Sequence, residues 1–347
     1  LLKLPRTIEW RNGRVRLINQ LKLPHDLEYI ETDDWRRVKE AIRRMEVRGA
    51  PAIGVAAAFS LALAALSMSD GEDVERAVGE LRKVGKELKS TRPTAANLSW
   101  AVDRVLSRLS ECTSVREVRE TVLEEAFRIQ KEDEEANVRI GELGEELISD
   151  GDTVITVCNA GSLATSYYGT ATAPIYKAVE RGKKVKVLAM ETRPYLQGAR
   201  LTAWELSMAG VEVKVVTDNS IGIIMMKEKV DLAITGADRV TSKGYVANKI
   251  GTYLLALVSK EFNVPFYVAA PTSSIDMSIS RPEDIEIERR HEREVLEIFG
   301  HRIAPNNVGA VYYAFDITPP KYVDGIITEK GIAHPPYEKT LRKIMSE

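Results

Sequence analysis

The sequence predicts an α/β chain in two unlike parts. Residues 1–148 form a mainly helical N-terminal domain with a small β-hairpin or sheet, and residues 149–347 form a largely parallel sheet covered by helices. Three observations predict this. Apolar residues recur at three- and four-residue steps through much of the first part, the period of helices with one buried face. From Asp152 onward, short β-rich runs alternate with stretches long enough to be crossover helices, which implies right-handed βαβ units. Between the two patterns lies the polar turn Ser149-Asp150-Gly151-Asp152.

Each element follows in order. Thr7-Ile8-Glu9-Trp10 and Val15-Arg16-Leu17-Ile18 are β-prone and split by Asn12-Gly13, a hairpin signal. Asp33 and Asp34 precede a helix over Trp35 to Met45. The apolar stretch from Ala50 to Met68 approaches the roughly 20 residues of a membrane span. It is dominated by Ala and interrupted by Pro51, Gly54 and Ser60, so it reads as a buried core helix instead. Val74, Val78, Leu81, Val84 and Leu88 mark one amphipathic helix, and Val118, Val122 and Ile129 mark another. Expected strands are Thr153–Val157, Val185–Met190, Val211–Val216, Asp231–Thr235 and Pro265–Ala270. Expected helices between or after them are Leu163–Arg181, Gly198–Ala209, Ile221–Lys229 and Ile250–Phe262.

Composition narrows the function. A formal charge of −2 on 347 residues gives no bulk field for nucleic acid or an anionic membrane, so any phosphate must be met locally. The cysteines are Cys112 and Cys158, without a Cys-x-x-Cys, and His25, His291, His301 and His334 lie far apart. Neither a disulfide framework nor a metal site is expected, and the usage fits a reducing cytoplasm. No signal peptide is expected at the N-terminus. No P-loop, no strand-linked G-x-G-x-x-G and no G-x-S-x-G elbow is present, which removes the main support for nucleotide, dinucleotide and serine-hydrolase chemistry.

In parallel sheets the ligand crevice lies beyond the carboxyl ends of the strands. Cys158 follows the first expected strand, and Asp238 follows Leu232-Ala233-Ile234 through Thr235-Gly236-Ala237. A thiol and a carboxyl on one rim can move a proton between adjacent carbons. On residue type alone, Cys158 reads first as a small buried hydrophobe, and Asp238 reads equally as a cap or turn residue. Cys112 reads as structural or exposed. Three segments offer a helix start with a basic neighbour for a phosphate: Arg48-Gly49-Ala50-Pro51, Arg92-Pro93-Thr94 and Asn248-Lys249-Ile250-Gly251-Thr252.

These segments, with Cys158-Asn159-Ala160-Gly161, Glu191-Thr192-Arg193-Pro194-Tyr195-Leu196-Gln197-Gly198-Ala199-Arg200, Gly236-Ala237-Asp238-Arg239 and Val268-Ala269-Ala270-Pro271-Thr272, resemble the methylthioribose-1-phosphate isomerases nearly end to end. That methionine-salvage family belongs to a wider one shared with regulatory subunits of the translation-initiation guanine-nucleotide exchange factor. The resemblance implies a helical N-terminal domain, a Rossmann-like second domain and a cytoplasmic homodimer acting on a sugar phosphate without cofactor or metal. It implies Asp238 as proton donor and Cys158 as stabiliser or base, with Arg48, Gly49, Ala50, Arg92, Gln197, Asn248 and Lys249 contacting substrate. Ribose-1,5-bisphosphate isomerases share several of these elements, and a non-catalytic regulatory subunit is the alternative from another class. Two departures stand out: Val157 where many members have His, and Lys243-Gly244-Tyr245 where an Asn-Gly-Asp turn is usual.

Overall fold

In the computed structural model, which describes residues 3–92 and 95–346, the chain begins as a three-stranded antiparallel meander. Its strands are β1 (Ile8–Arg11), β2 (Arg14–Ile18) and β3 (Tyr29–Thr32). Asn12 and Gly13 both take positive φ, as a tight hairpin turn requires. The third strand has no alternation of its own in the sequence; β2 supplies its pairing.

Helices follow: α1 (Trp35–Arg43), α2 (Ala50–Leu66), α3 (Val74–Thr91), α4 (Ala96–Ser107) and α5 (Val115–Glu145). Asp34 and Asp73 cap α1 and α3, each carboxylate accepting a backbone N–H at 2.9 Å. The apolar stretch is the expected core helix: fourteen of the 17 residues of α2 are buried. Its alanines and Gly54 let α4 approach closely, since a Cβ on Gly54 would sit 3.0 Å from the Asn97 carbonyl. Phe59 packs against Trp10 and Phe127 with ring centroids 5.4 and 5.5 Å apart. Ser60, the polar residue of the buried face, donates to the Trp35 carbonyl at 3.1 Å. Among the described residues no helix is long and apolar enough to cross a membrane.

The later half continues β4 (Thr153–Thr156), α6 (Ala173–Glu180), β5 (Lys186–Met190), α7 (Ala203–Met208), β6 (Glu212–Val216) and α8 (Ile221–Lys227). Then come β7 (Leu232–Thr235), β8 (Arg239–Thr241), β9 (Val246–Lys249), α9 (Thr252–Glu261), β10 (Phe266–Ala269) and β11 (Ile275–Asp276). The chain closes with α10 (Arg293–Leu296), β12 (Glu297–Ile298), β13 (His301–Arg302), β14 (Phe315–Thr318), β15 (Gly325–Thr328), β16 (Gly331–Ala333) and α11 (Tyr337–Ser346). All five expected strands form, and they pair in parallel within a sheet of order β16-β15-β10-β7-β4-β5-β6. Only β16, at the edge, runs antiparallel to its neighbour.

Three expectations are corrected. The helix over Leu163–Arg181 shrinks to a 3-10 turn at Ser162–Ala164 and to α6, because Ser/Thr-rich chain, Gly169 and Tyr168, both at positive φ, intervene before Pro174 opens the helix. The stretch from Gly198 starts as a π-turn, Gly198–Thr202, before α7. Asn248 and Lys249 lie on β9, not at a helix start. That strand sits inside a second sheet of order β11-β8-β9-β14, and all four of its residues are buried.

The described residues group into two compact units. One holds Leu4–Val138 with Gly161–Gly169; the other holds Lys3, Arg139–Ala160 and the described residues from Thr170 onward.

Candidate active site

The order of the large sheet reverses beside β4. From β4 the chain builds outward through β5 and β6, then crosses back to place β7 on the other side of β4 and continues outward through β10. Such a switch point opens a crevice at the carboxyl ends of the two strands it separates. Cys158 follows β4 and Asp238 follows β7, and these strands pair directly, Val154 with Leu232 and Ile155 with Ala233. Their loops touch: a Cβ on Gly236 would lie 2.4 Å from the Ala160 Cβ. Glycine two residues before Asp238 is thus what lets its loop pass the Cys158 loop.

The backbone around the thiol is strained and held. Cys158 has φ 69°, Thr192 φ 63° and Leu196 φ 59°. For a β-branched residue such as Thr192 that conformation is rare and costs about 1–3 kcal/mol. The Asp218 carboxylate offsets it by accepting from the N–H groups of Thr192 and Arg193 at 2.8 and 2.6 Å. Thr192 Oγ1 in turn accepts the Cys158 N–H at 2.9 Å, and Thr202 Oγ1 donates to the Cys158 carbonyl at 2.7 Å. Cys158 is 9% exposed, and Gln197 Nε2 donates to its Sγ at 3.5 Å. Gln197 reaches it because Gly198 permits the turn: a Cβ there would be 1.7 Å from the Met190 carbonyl oxygen. Gln197 Oε1 is buried and takes no hydrogen bond from the described residues.

Strand β9 delivers the next pair. Asn248 Nδ2 donates to Thr235 Oγ1 at 3.0 Å and to Thr252 Oγ1 at 2.9 Å. Lys249 Nζ donates to Tyr312 Oη at 2.5 Å. Burial pulls the Lys249 ammonium down to about 8; Cys158, Glu294 and Asp238 oppose that, and Arg290 adds to it. The second unit therefore brings Cys158, Asp238, Gln197 and Lys249 into one electrostatic neighbourhood, with Asn248 beside it. Asp238 is half-buried, its N–H donating to the Ala247 carbonyl at 3.0 Å.

The expected anion site at the start of α9 is already filled. Asp316, on β14, accepts from the N–H groups of Gly251 at 2.8 Å and Tyr253 at 3.1 Å. The first unit carries the other candidates. Arg48 is buried, and Gly49 is the N-cap residue of α2 at φ 97°, where a Cβ would lie 2.4 Å from the Ala164 backbone. Gly49, having no side chain, supplies no cap of its own to α2. Arg92 closes α3; Pro93 and Thr94 lie outside the described residues. Among the described residues no group of three or more His, Cys, Asp and Glu is placed to hold a metal ion.

Of the two departures, Val157 is buried, and Gly244 takes φ 80° where a Cβ would meet the Tyr337 ring at 2.5 Å. Thr192, Thr202, Asp218 and Tyr312 were not singled out from the sequence. Thr192 entered only as part of the Glu191-to-Arg200 segment, Thr202 and Asp218 carry no distinguishing spacing, and Tyr312 follows a stretch of irregular chain with no periodic signal.

Comparison with known proteins gives the chain its family. The Initiation factor 2 subunit family matches residues 46–335. The chain belongs to that family. Within it, a methylthioribose-1-phosphate isomerase of Thermosipho melanesiensis is 50% identical over 341 residues, covering 98% of both chains. The solved 5-methylthioribose 1-phosphate isomerase of Pyrococcus horikoshii superposes with TM-score 0.92 at 43% identity, covering 99% of this chain and 97% of that one. A structure from A. fulgidus described as translation initiation factor eIF-2B, subunit delta, superposes with TM-score 0.90 at 44% identity, covering 99% of each. The two solved neighbours are nearly equidistant, so the family's two kinds of member are told apart here by the curated relatives, and by these the chain stands with the family's aldose–ketose isomerases.

Proposed function

We propose that this chain converts 5-methylthioribose 1-phosphate to 5-methylthioribulose 1-phosphate in methionine salvage. One observation carries the reading: Cys158 and Asp238 end adjacent paired strands at the switch point, with the Lys249 charge coupled to both.

Phosphate on the anomeric oxygen prevents the ring from opening by loss of a hydroxyl proton, so the ring oxygen must be protonated. Asp238 donates that proton, and the C1–ring-oxygen bond breaks. Cys158, as thiolate, takes the proton from C2, giving an enol across C1 and C2. Asp238 recovers a proton from the C2 hydroxyl while the Cys158 thiol returns one to C1, leaving the ketone at C2 and both groups as they began. The unpaired Gln197 Oε1 is suited to a sugar hydroxyl. Lys249 and Asn248 contact the substrate from β9. Arg48, Gly49, Ala50 and Arg92 keep the substrate-contacting role that the resemblance gives them. The reading extends to a cytoplasmic homodimer.

Turnover of methylthioribose 1-phosphate, with the product identified, tests the assignment. Cys158→Ser and Asp238→Asn are each expected to lower kcat by about a hundredfold or more while the fold, read by circular dichroism, is kept. Near-normal rates in both would remove the chemistry. No turnover by the unaltered chain, with capture of an initiation factor, would favour the regulatory subunit.

A further inference from the structure

Lys249 is 5% exposed and Tyr312 4%, and their polar tips meet at 2.5 Å with the ammonium donating to the phenol oxygen. The ammonium also lies 5.1 Å from the Tyr312 ring centroid and 6.0 Å from that of Phe315. Tyr312 is tied in place by chain pairing: Arg290 N–H donates to its carbonyl at 3.1 Å, and Ala314 N–H donates to the Glu288 carbonyl at 2.9 Å. Behind it, Arg290 Nε pairs with Glu294 at 2.9 Å and with Glu288 at 3.7 Å. We infer that Tyr312 is a positioning residue: its phenol oxygen fixes the Lys249 ammonium against Cys158 and Asp238, and the Arg290–Glu294 pair fixes Tyr312. This rests on the reading of Cys158 and Asp238 as the reacting groups.

The physical need is plain. Burial works against the Lys249 charge, and also raises the Tyr312 phenol above its ordinary range, so the phenol stays protonated and its oxygen remains an acceptor. The charged groups that face Lys249 are Cys158 from the loop after β4, Asp238 from the loop after β7, Arg290 from the segment leading into α10 and Glu294 in the first turn of α10. Cys158, Glu294 and Asp238 favour the charged form and Arg290 opposes it, while the phenol oxygen is the hydrogen-bond acceptor that fixes where Nζ points. Losing an acceptor for an ammonium makes the amine shed its proton at lower pH.

Tyr312→Phe removes the oxygen and keeps the ring. Enzyme carrying 13C at the lysine Cε positions, with the Lys249 signal assigned through Lys249→Arg, is titrated by NMR. In parallel, kcat/KM for methylthioribose 1-phosphate is followed against pH. In Tyr312→Phe, Lys249 is expected to titrate at least about half a unit lower than in the unaltered chain. The alkaline limb of kcat/KM should move with it, and the plateau should fall about ten- to a hundredfold. Tyr313→Phe, the same change at an exposed neighbour, should leave both as they were. An unchanged Lys249 titration together with kcat/KM within twofold would overturn the inference. If the unaltered chain fails to turn the sugar over, the functional reading falls, and the NMR titration alone still decides whether Tyr312 holds Lys249.

Discussion

Two helices of this protein begin behind a glycine at positive φ with a basic residue just upstream, and they begin in opposite states. At α2 the sequence is Arg48-Gly49-Ala50-Pro51, with Gly49 at φ 97° and no side-chain cap. At α9 it is Lys249-Ile250-Gly251-Thr252, with Gly251 at φ 102° and the Asp316 carboxylate seated on two N–H groups of the first turn. Both read as anion sites in the sequence. A carboxylate at a helix start does the work that a phosphate would do, so with Asp316 on α9 the start of α2 is the one of the two that keeps its candidacy. The residue that closes the second start lies 65 positions away, beyond the reach of any local pattern.

The largest way to break this comparison is Gly49→Ala. The new Cβ would lie 2.4 Å from both Cα and O of Ala164, backbone that cannot swing aside, in a conformation L side chains rarely adopt. The two costs together are expected to reach about 3 kcal/mol or more in denaturant unfolding. A loss below about 1 kcal/mol would mean the segment moves freely and the open start is not held. Gly251→Ala should cost less, about 1–2 kcal/mol, since its Cβ meets only Val157 Cγ2 at 3.7 Å and backbone strain is the whole penalty. Equal losses at the two glycines would remove the distinction drawn between them.

How much of this was legible in the sequence depends on the range of the cause. The strands β4, β7 and β10 were readable because each is a short apolar run buried within the sheet, and that run is itself the signal; β6, at the sheet edge and largely exposed, was readable from its β-branched residues. The core helix α2 was readable because alanine with Pro51 and Gly54 suits close helix packing better than lipid. Cys158 and Asp238 were readable because position after a strand is a local property. That their strands pair directly was not: the strand order is set by crossover handedness and packing. The helix expected over Leu163–Arg181 failed for a local reason, the Ser/Thr side chains that compete for backbone groups, and the strand holding Asn248 and Lys249 for a distant one, since β14 is needed to complete its pairing. Tyr312 shows the same limit within the site.

The finest test acts on the cap itself. Burial pushes the Asp316 carboxyl up to about 6, while the two amides it accepts from pull the other way. An acid raised on folding binds its proton more tightly in the native state, so its contribution to stability is full below the unfolded value near 4 and is lost as pH rises through about 6. Asp316→Asn keeps an acceptor for the amides and removes the titration. At pH 7 the two proteins are expected to differ by no more than about 1 kcal/mol, since the lost charge at the helix start and the relieved burial oppose each other. The difference should move in favour of the Asn protein between pH 4 and 7. Asp133, also raised to about 6 by burial although its hydrogen bonds from Ser166 pull the other way, keeps titrating in both, so part of the decline with pH must persist in the variant. Stability curves that stay parallel across that range would place the Asp316 carboxyl in water, and with it the argument that α9 has no room for an anion.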